Sequence, residues 1–277
     1  MAEQKENNTY PSQKMEELID KVFNATDYYD RVDALKEIDD QDILRKVAAN
    51  DPDYYVRQTA TEKIDDPDVL MQIALNDTDY YVRVAAVKRI SDPAVLAHIV
   101  LKSQEDYYIC KDALSKIHDD QVLLRLISEI TDRDIMKTAV EAIESQDILV
   151  DIARNHEDFY IRSDALKKVT SQEILTEVAL KDEDYYVRAL AIERINNEDF
   201  LIKIAREDPD YYVRNKAVAK IDHPETLAEI VRKDPDFEVR KKAISRIRNK
   251  GLIEQLITEV EDHYILRKLK TRLMEFG

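Results

Sequence analysis

The side chains of this chain that could do chemistry are one cysteine, five histidines and a recurring set of tyrosine, arginine and aspartate. The histidines are scattered, and the sequence contains no Ser-His-Asp or Cys-His spacing, glycine-rich phosphate loop or zinc motif. Cys110 is the single cysteine, which excludes an internal disulfide and a four-cysteine metal site. Paired carboxylates such as Asp51 and Asp53 could hold calcium, but helix capping explains them without a metal. We therefore predict no catalytic residues, no cofactor and no metal.

The motif Asp-Tyr-Tyr-x-Arg, complete or degraded, recurs along the chain and organises it. Its leading aspartates follow one another with a period of about 26 residues, and only the interval from Asp79 to Asp106 is longer, by a single residue. The leading aspartates are Asp27, Asp53, Asp79, Asp106, Asp132, Asp158, Asp184, Asp210, Asp236 and Asp262. A fixed period of this length indicates stacked supersecondary units rather than a globule.

Each repeat, counted from its leading Asp as position 1, predicts two helices. Apolar residues at positions 4, 8 and 12 share one helical face, and those at positions 17, 18, 21 and 22 share a second. Asp at position 1, and Asp, Ser or Asn at position 14, are typical N-cap residues. We predict an all-α fold, a right-handed α-α superhelix (solenoid) of about ten 26-residue two-helix repeats.

The pattern also predicts the domain organisation. Residues 1–11 are polar and are expected to be a disordered tail. A single solenoid should follow over 12–276, made of an N-terminal cap helix (12–26), nine two-helix repeats (27–261) and a C-terminal cap helix (262–276).

Residues 51–57 (DPDYYVR) with Ala60 resemble the signature of HEAT-like repeats of the phycobilisome-lyase type. They are also similar to the leucine-rich-repeat variant, and the resemblance covers about residues 27–276. It implies an α-solenoid and a role as a lyase-like or enzyme-accessory protein that acts on or chaperones a protein substrate. The Leu-Gly corner common in HEAT-like units is missing, and clustered cysteines for an iron–sulfur module are absent.

Two surfaces are candidates for partner binding. Tyrosines at positions 2 and 3 should form two rows along one edge, position 2 half-buried and position 3 more exposed, either for recognition or for packing between repeats. The tyrosine edge comprises Tyr29, Tyr55, Tyr81, Tyr108, Tyr186 and Tyr212.

Second helices usually line the inner surface of HEAT-like arrays, which would place a concave face on variable second-helix residues. These are Met71, Leu75, Leu101, Leu124, Val150, Leu180, Ile202, Arg206 and Arg232.

Charge limits the partners. A net charge of −16 and a pI near 4.9 weigh against nucleic acid and anionic membranes. A basic row at position 11 could still attract nucleic acid. Each of its cations, however, lies in the last turn of the first helix, where it interacts favourably with the helix dipole. The first residues have no apolar core and the chain has no apolar run of about 18 residues, so we expect no signal peptide and a cytoplasmic protein without a membrane span.

Repeats four and five depart from the pattern. Cys110 replaces the motif arginine, as a reactive thiol or a tolerated substitution, and the repeat at Asp132 has lost the arginine and both tyrosines. Sequence drift or a bend, hinge or local site around 102–137 would explain this.

Our leading interpretation is a non-enzymatic, monomeric scaffold that binds a protein or peptide along its concave face. The alternatives are the lyase-like accessory role and nucleic-acid binding through the basic row.

Overall fold

The computed structural model describes residues 10–276, and that part of the chain contains twenty α-helices and no strand. The helices are α1 (Tyr10–Asn24), α2 (Tyr28–Lys36), α3 (Gln41–Asn50), α4 (Tyr54–Thr61), α5 (Pro67–Asn76), α6 (Tyr80–Arg89), α7 (Pro93–Lys102), α8 (Tyr107–Leu114), α9 (Asp120–Glu129), α10 (Arg133–Ala142), α11 (Gln146–Asn155), α12 (Phe159–Lys168), α13 (Gln172–Lys181), α14 (Tyr185–Arg194), α15 (Glu198–Glu207), α16 (Tyr211–Val218), α17 (Pro224–Lys233), α18 (Phe237–Arg246), α19 (Lys250–Glu259) and α20 (His263–Met274). The all-α repeat fold is confirmed. Most of the predicted tail over 1–11 lies outside the described residues, and α1 already includes residues 10 and 11.

The helices begin where the capping residues predict. Asp53 Oδ1 accepts a hydrogen bond of 2.8 Å from the Tyr55 N–H, and Asp79, Asp184 and Asp210 cap their first helices in the same way. Asp106 caps its helix by accepting the N–H of Ile109. Asp66 caps the second helix α5, with Pro67 at its first position, where the missing N–H costs nothing. These helices have eight to ten residues, so their stability depends on packing against neighbours.

The described residues form two compact units, which meet in sequence between Glu144 and Ser145. Unit one contains α1–α10, and unit two contains α11–α20. Within each unit the first helices of neighbouring repeats pack together more closely than the second helices do. Fully buried alanines at position 8, such as Ala60 and Ala217, allow this close approach. The single solenoid over 12–276 and its right-handed sense stay predictions.

Arginine at position 5 connects adjacent repeats within each unit. Arg188 donates hydrogen bonds of 2.9 and 3.0 Å to the two carboxylate oxygens of Asp208, and both side chains are buried. Its Nη1 also donates to the carbonyl oxygens of Asp182 and Glu183, just before its own helix. Asp208 in turn accepts the N–H of Asp210, the N-cap of the next first helix. We call this arrangement the Arg–Asp ladder.

The ladder repeats in both units, always with a sequence separation of 20 residues between arginine and aspartate. Its pairs are Arg31–Asp51, Arg57–Asp77, Arg162–Asp182, Arg188–Asp208 and Arg214–Asp234. Gln104 and Val260 occupy the place of the ladder aspartate in two repeats. There Arg83 pairs instead with the N-cap Asp106 at 2.7 Å, and Arg240 pairs with the N-cap Asp262 at 3.0 Å. The arginine therefore keeps a carboxylate partner when its usual one is lost.

We expect Asp208→Ala to lower the free energy of unfolding of unit two by about 2–4 kcal/mol. The substitution leaves the buried Arg188 guanidinium without its carboxylate, which costs more than the loss of an exposed pair. Urea denaturation followed by circular dichroism measures the change. Asp33→Ala removes the exposed Lys36–Asp33 pair and should change stability much less. Equal effects of the two substitutions would contradict a structural role for the ladder.

The ladder should also make stability depend on pH. Burial by itself would raise the pKa of Asp77, but hydrogen bonds from Arg57 and from the Asp79 N–H outweigh it and hold that pKa below its usual value. Since this pKa is lowered by folding, Asp77 stabilises the protein at neutral pH. That contribution is lost as the pH falls below about 4, the pKa of an unfolded aspartate, towards the lower folded value. Asp77→Asn should flatten the acid limb of a plot of thermal midpoint against pH, and an unchanged acid limb would contradict the assignment.

Candidate protein-binding surface

Tyrosine rings of neighbouring repeats contact one another along the first helices of unit one. The position-2 ring of one repeat contacts the position-3 ring of the next, with centroid distances of 6.3 Å for Tyr28–Tyr55 and 6.4 Å for Tyr80–Tyr108. Tyr54 contacts Tyr81 in the same way, at 6.2 Å. We call this row the unit-one strip, and its members are Tyr28, Tyr29, Tyr54, Tyr55, Tyr80, Tyr81, Tyr107 and Tyr108. The structure therefore brings four of the predicted tyrosine-edge residues, Tyr29, Tyr55, Tyr81 and Tyr108, into one surface.

The unit-one strip is open to solvent. Tyr29 and Tyr81 are each 60% exposed, and Tyr108 is 65% exposed. The position-2 rings are also accessible, since Tyr80 is 37% exposed. Large apolar side chains in a connected exposed row are typical of interaction surfaces, because they offer contact area at little entropic cost.

Unit two carries a related aromatic row with different surroundings. Tyr185 contacts Tyr212 at 6.0 Å between ring centroids, but the chain's own lysines lie against this row. Lys216 Nζ lies 5.2 Å from the centroid of the Tyr212 ring, and Lys241 Nζ lies 5.7 Å from that of Phe237. Tyr212 is less exposed than Tyr211 of the same repeat, the reverse of the order expected from the sequence. Tyr186 is likewise less exposed than Tyr185.

Carboxylates make the potential along the unit-one strip negative. A hydrogen bond with Tyr29, loss of solvent and the negative charges of Asp53 and Asp27 together raise the pKa of Tyr28 to about 12. Burial and the charges of Asp112 and Asp106 raise the pKa of Tyr80. These phenols stay neutral at physiological pH, so the strip presents uncharged rings beside carboxylates.

The predicted concave-face residues lie on successive second helices of each unit. Met71, Leu75, Leu101, Leu124, Val150 and Ile202 are half-buried, and Leu180 is exposed. Two of the predicted residues of this face, Arg206 and Arg232, are cationic. They form ion pairs of 2.7 Å with Glu229 and Glu259 of the following second helices, so their charge is largely balanced.

A cleft of about 640 Å³ opens between the second helices α3 and α5 in unit one. Its walls include Ala48, Val69 and Ile73, and its polar rim includes Arg45 and Gln72. Sequence reasoning assigned the apolar positions to the core and missed the cleft. The cleft exists because the second helices pack less closely than the first helices do. The hydrophobic period of the sequence does not predict this difference.

The basic row at position 11 is engaged within the protein. Lys220 Nζ donates to the carbonyl oxygens of Glu193 and Ile195, at 2.8 and 2.5 Å, at the end of the preceding first helix. Lys63 and Lys116 make equivalent bonds, as do Arg89, Arg194, Arg246 and Arg272. Nucleic-acid binding needs this row to face solvent without partners, and for these residues that condition is not met.

Cys110 is buried, and two carboxylates lie near its thiol. Its thiol donates weak hydrogen bonds to the carbonyl oxygens of Ser103 and Val100, with Sγ–O distances of 3.2 and 3.5 Å. Burial, followed by the charges of Asp106 and Asp132, raises the pKa of the thiol to about 12. The thiol is therefore protonated at neutral pH, which argues against the reactive-thiol interpretation.

The described residues 10–276 contain no group of three or more His, Cys, Asp or Glu side chains placed to hold a metal ion. A search of the same residues finds no helix with the length and apolar character needed to cross a membrane. The extra residue before Asp106 is accommodated by a turn in which Gln104 Oε1 accepts the N–H groups of Thr131 and Asp132. A hinge or site at 102–137 stays a prediction.

We expect Cys110 in the native protein to react with a disulfide reagent at pH 8 at least 100-fold more slowly than in urea. The unfolded thiol, with a pKa near 8.5, is partly ionised at that pH, whereas the native thiol is both protonated and buried. Absorbance at 412 nm after addition of Ellman's reagent measures both rates. Similar rates in the two states would contradict the buried position.

Comparison with known proteins adds only distant structural similarity. No family model matches the chain, and no curated protein matches it. Similar chains of known structures include one from a homology model of the AP-3 complex, with 15% sequence identity and a TM-score of 0.30 over 98% of this chain and 64% of that one. They also include YibA of Escherichia coli, with 14% identity and a TM-score of 0.23 over 99% of each chain. A computationally designed cyclic homo-oligomer has 18% identity and a TM-score of 0.12 over 96% of this chain and 89% of that one. This chain thus spans less than two thirds of the length of the AP-3 chain it matches.

Proposed function

We propose that this protein is a non-enzymatic scaffold that binds a segment of another protein, and that the unit-one strip is its main contact surface. The observation that carries the proposal is that exposed tyrosine rings contact one another between each pair of neighbouring repeats along the strip. Aromatic residues are enriched at the centres of protein interfaces, and tyrosine also offers a hydroxyl for hydrogen bonding. The proposal includes a cytoplasmic monomer without a membrane span.

The packing of the helices favours the first-helix layer as the inner face. In a stack of two-helix repeats, the layer whose helices lie closer together is the shorter one, and a stack curves towards its shorter layer. In each unit that layer is formed by the first helices. We therefore place the concave face of each unit on the tyrosine-bearing helices, in contrast to the expectation that second helices line it.

The lyase-like role implied by the HEAT-like resemblance gains no support from the geometry. Such chemistry would need reactive side chains gathered in one pocket, and Cys110 is buried and protonated. The resemblance still fits the proposal, because it implies a repeat scaffold that holds a protein partner. The two faces of unit one can be separated experimentally.

We expect a protein partner captured from lysate of the source organism to be lost when Tyr29, Tyr81 and Tyr108 are each changed to serine. These rings are at least 60% exposed, so their removal takes away contact area without opening a core cavity. Affinity capture followed by mass spectrometry, with circular dichroism to check folding, gives the result. The matched control is the change of Leu75, Leu101 and Leu124 to serine on the second helices of the same unit.

Retention of the partner by the second-helix variant, and its loss from the tyrosine variant, would support the proposed face. The opposite pattern would move the binding surface to the second helices. Capture of no partner by the folded wild-type protein would contradict the scaffold function itself.

A further inference from the structure

We infer that the unit-one strip is a docking surface for an extended, lysine- or arginine-rich segment of a partner protein. This inference rests on the proposed function and adds the chemical class of the partner. It follows from the charges beside the strip, from the cations that unit two places on its own aromatic row, and from the length of the strip.

Three carboxylates along the strip lack a cationic partner. Asp27, Asp53 and Asp79 each accept one backbone N–H through Oδ1, from the second residue ahead. Among the described residues, no lysine or arginine nitrogen lies within ion-pair distance of these three side chains. Each therefore has an Oδ2 without a cationic partner at the start of a tyrosine-bearing helix, and the charges of Asp27 and Asp53 act on the Tyr28 ring.

Unit two shows which ligand such rings accept. Lys216 and Lys241 extend over Tyr212 and Phe237 at distances typical of cation–π contacts. At the position of Lys216, unit one has Asp33, Thr59, Ala85 and Asp112. At the position of Lys241, it has Val32, Gln58, Val84 and Lys111.

The unit-one rings consequently lack an internal cation. Within the described part of unit one, no lysine or arginine lies over a ring of the strip. Two lysines of this layer lie near the strip without covering a ring: Lys36, which is paired with Asp33 at 2.8 Å, interacts with Tyr55, and Lys88 lies in a groove beside Tyr81. Arg83 is paired with Asp106 at 2.7 Å. Lys111 is exposed at one end. A cationic side chain from a partner would meet an aromatic face and a carboxylate together.

The length of the strip sets the length of the segment. The strip crosses four repeats, and neighbouring packed helices lie about 8–10 Å apart, so it extends over about 24–30 Å. An extended chain advances about 3.3 Å per residue, so about nine residues would cover the strip. A probe of twelve residues is long enough to engage every repeat.

The test uses the full-length protein and a fluorescein-labelled twelve-residue peptide of alternating arginine and serine. The control peptide has citrulline at each arginine, which keeps the shape of the side chain and removes its charge. Fluorescence anisotropy at about 0.15 M salt measures affinity. We expect the citrulline peptide to bind at least about 10-fold more weakly, because it lacks both the cation–π and the charge–charge attraction.

Two groups of variants locate the site. Changing Asp27, Asp53 and Asp79 to asparagine keeps a good N-cap and removes three charges, and should weaken binding about 10-fold. Changing Tyr29, Tyr81 and Tyr108 to leucine keeps apolar area, removes the ring faces, and should weaken it by a similar factor. The matched control changes Asp184, Asp210 and Asp236 of unit two to asparagine, with the same change in net charge, and should alter affinity less than about 2-fold.

Equal losses from the two aspartate triples would overturn the inference, because they would show general attraction to an acidic protein. Equal binding of the arginine and citrulline peptides would also overturn it. The two peptides could bind equally while their binding, or capture of the natural partner, still depends on Tyr29, Tyr81 and Tyr108. In that case the scaffold function stands and only the preference for cations is wrong. If neither peptide nor partner depends on these tyrosines, both proposals fail.

Discussion

The buried pair between the arginine of one repeat and an aspartate just before the next first helix is the interaction on which the rest of this structure depends. Helices of eight to ten residues are not stable alone, so each repeat must be held against the next. Arg188 contacts Asp208 ahead of it and the carbonyl of Asp182 behind it, and thereby joins two successive turns. Because Asp208 also positions the N-cap Asp210, the same pair sets where the next first helix begins.

The two surfaces of unit one follow from this constraint. Ladder pairs and the buried alanines of position 8 hold the first helices close together, which brings tyrosines of neighbouring repeats into ring contact. The second helices α3 and α5 are joined by a more exposed pair, Arg45–Asp66 at 3.3 Å, and they separate enough to leave the cleft beside Val69 and Ile73. The same packing therefore produces an aromatic strip on the first-helix layer and a groove on the second-helix layer.

The motif divides its residues between stability and recognition. Arg57 and Asp53 satisfy backbone and carboxylate groups, whereas the Tyr54 and Tyr55 rings project to solvent and the core does not need them. Residues on this surface can consequently be replaced without altering the packing of the repeats. Unit two illustrates this, since Lys216 covers a ring there and the same position in unit one is neutral or acidic.

Much of the fold was determined by the sequence alone, because its evidence is local. The period of the motif, the N-cap at Asp53 and the Pro67 start of α5 predict helix type and boundaries within a few residues. The tyrosine edge was also predictable from the spacing of the motif. The tertiary structure alone decided which helix layer is tighter, that Lys220 caps a neighbouring helix, and that Cys110 is buried and protonated. These properties depend on distances between residues of different helices and repeats, and a helical period carries no information on them.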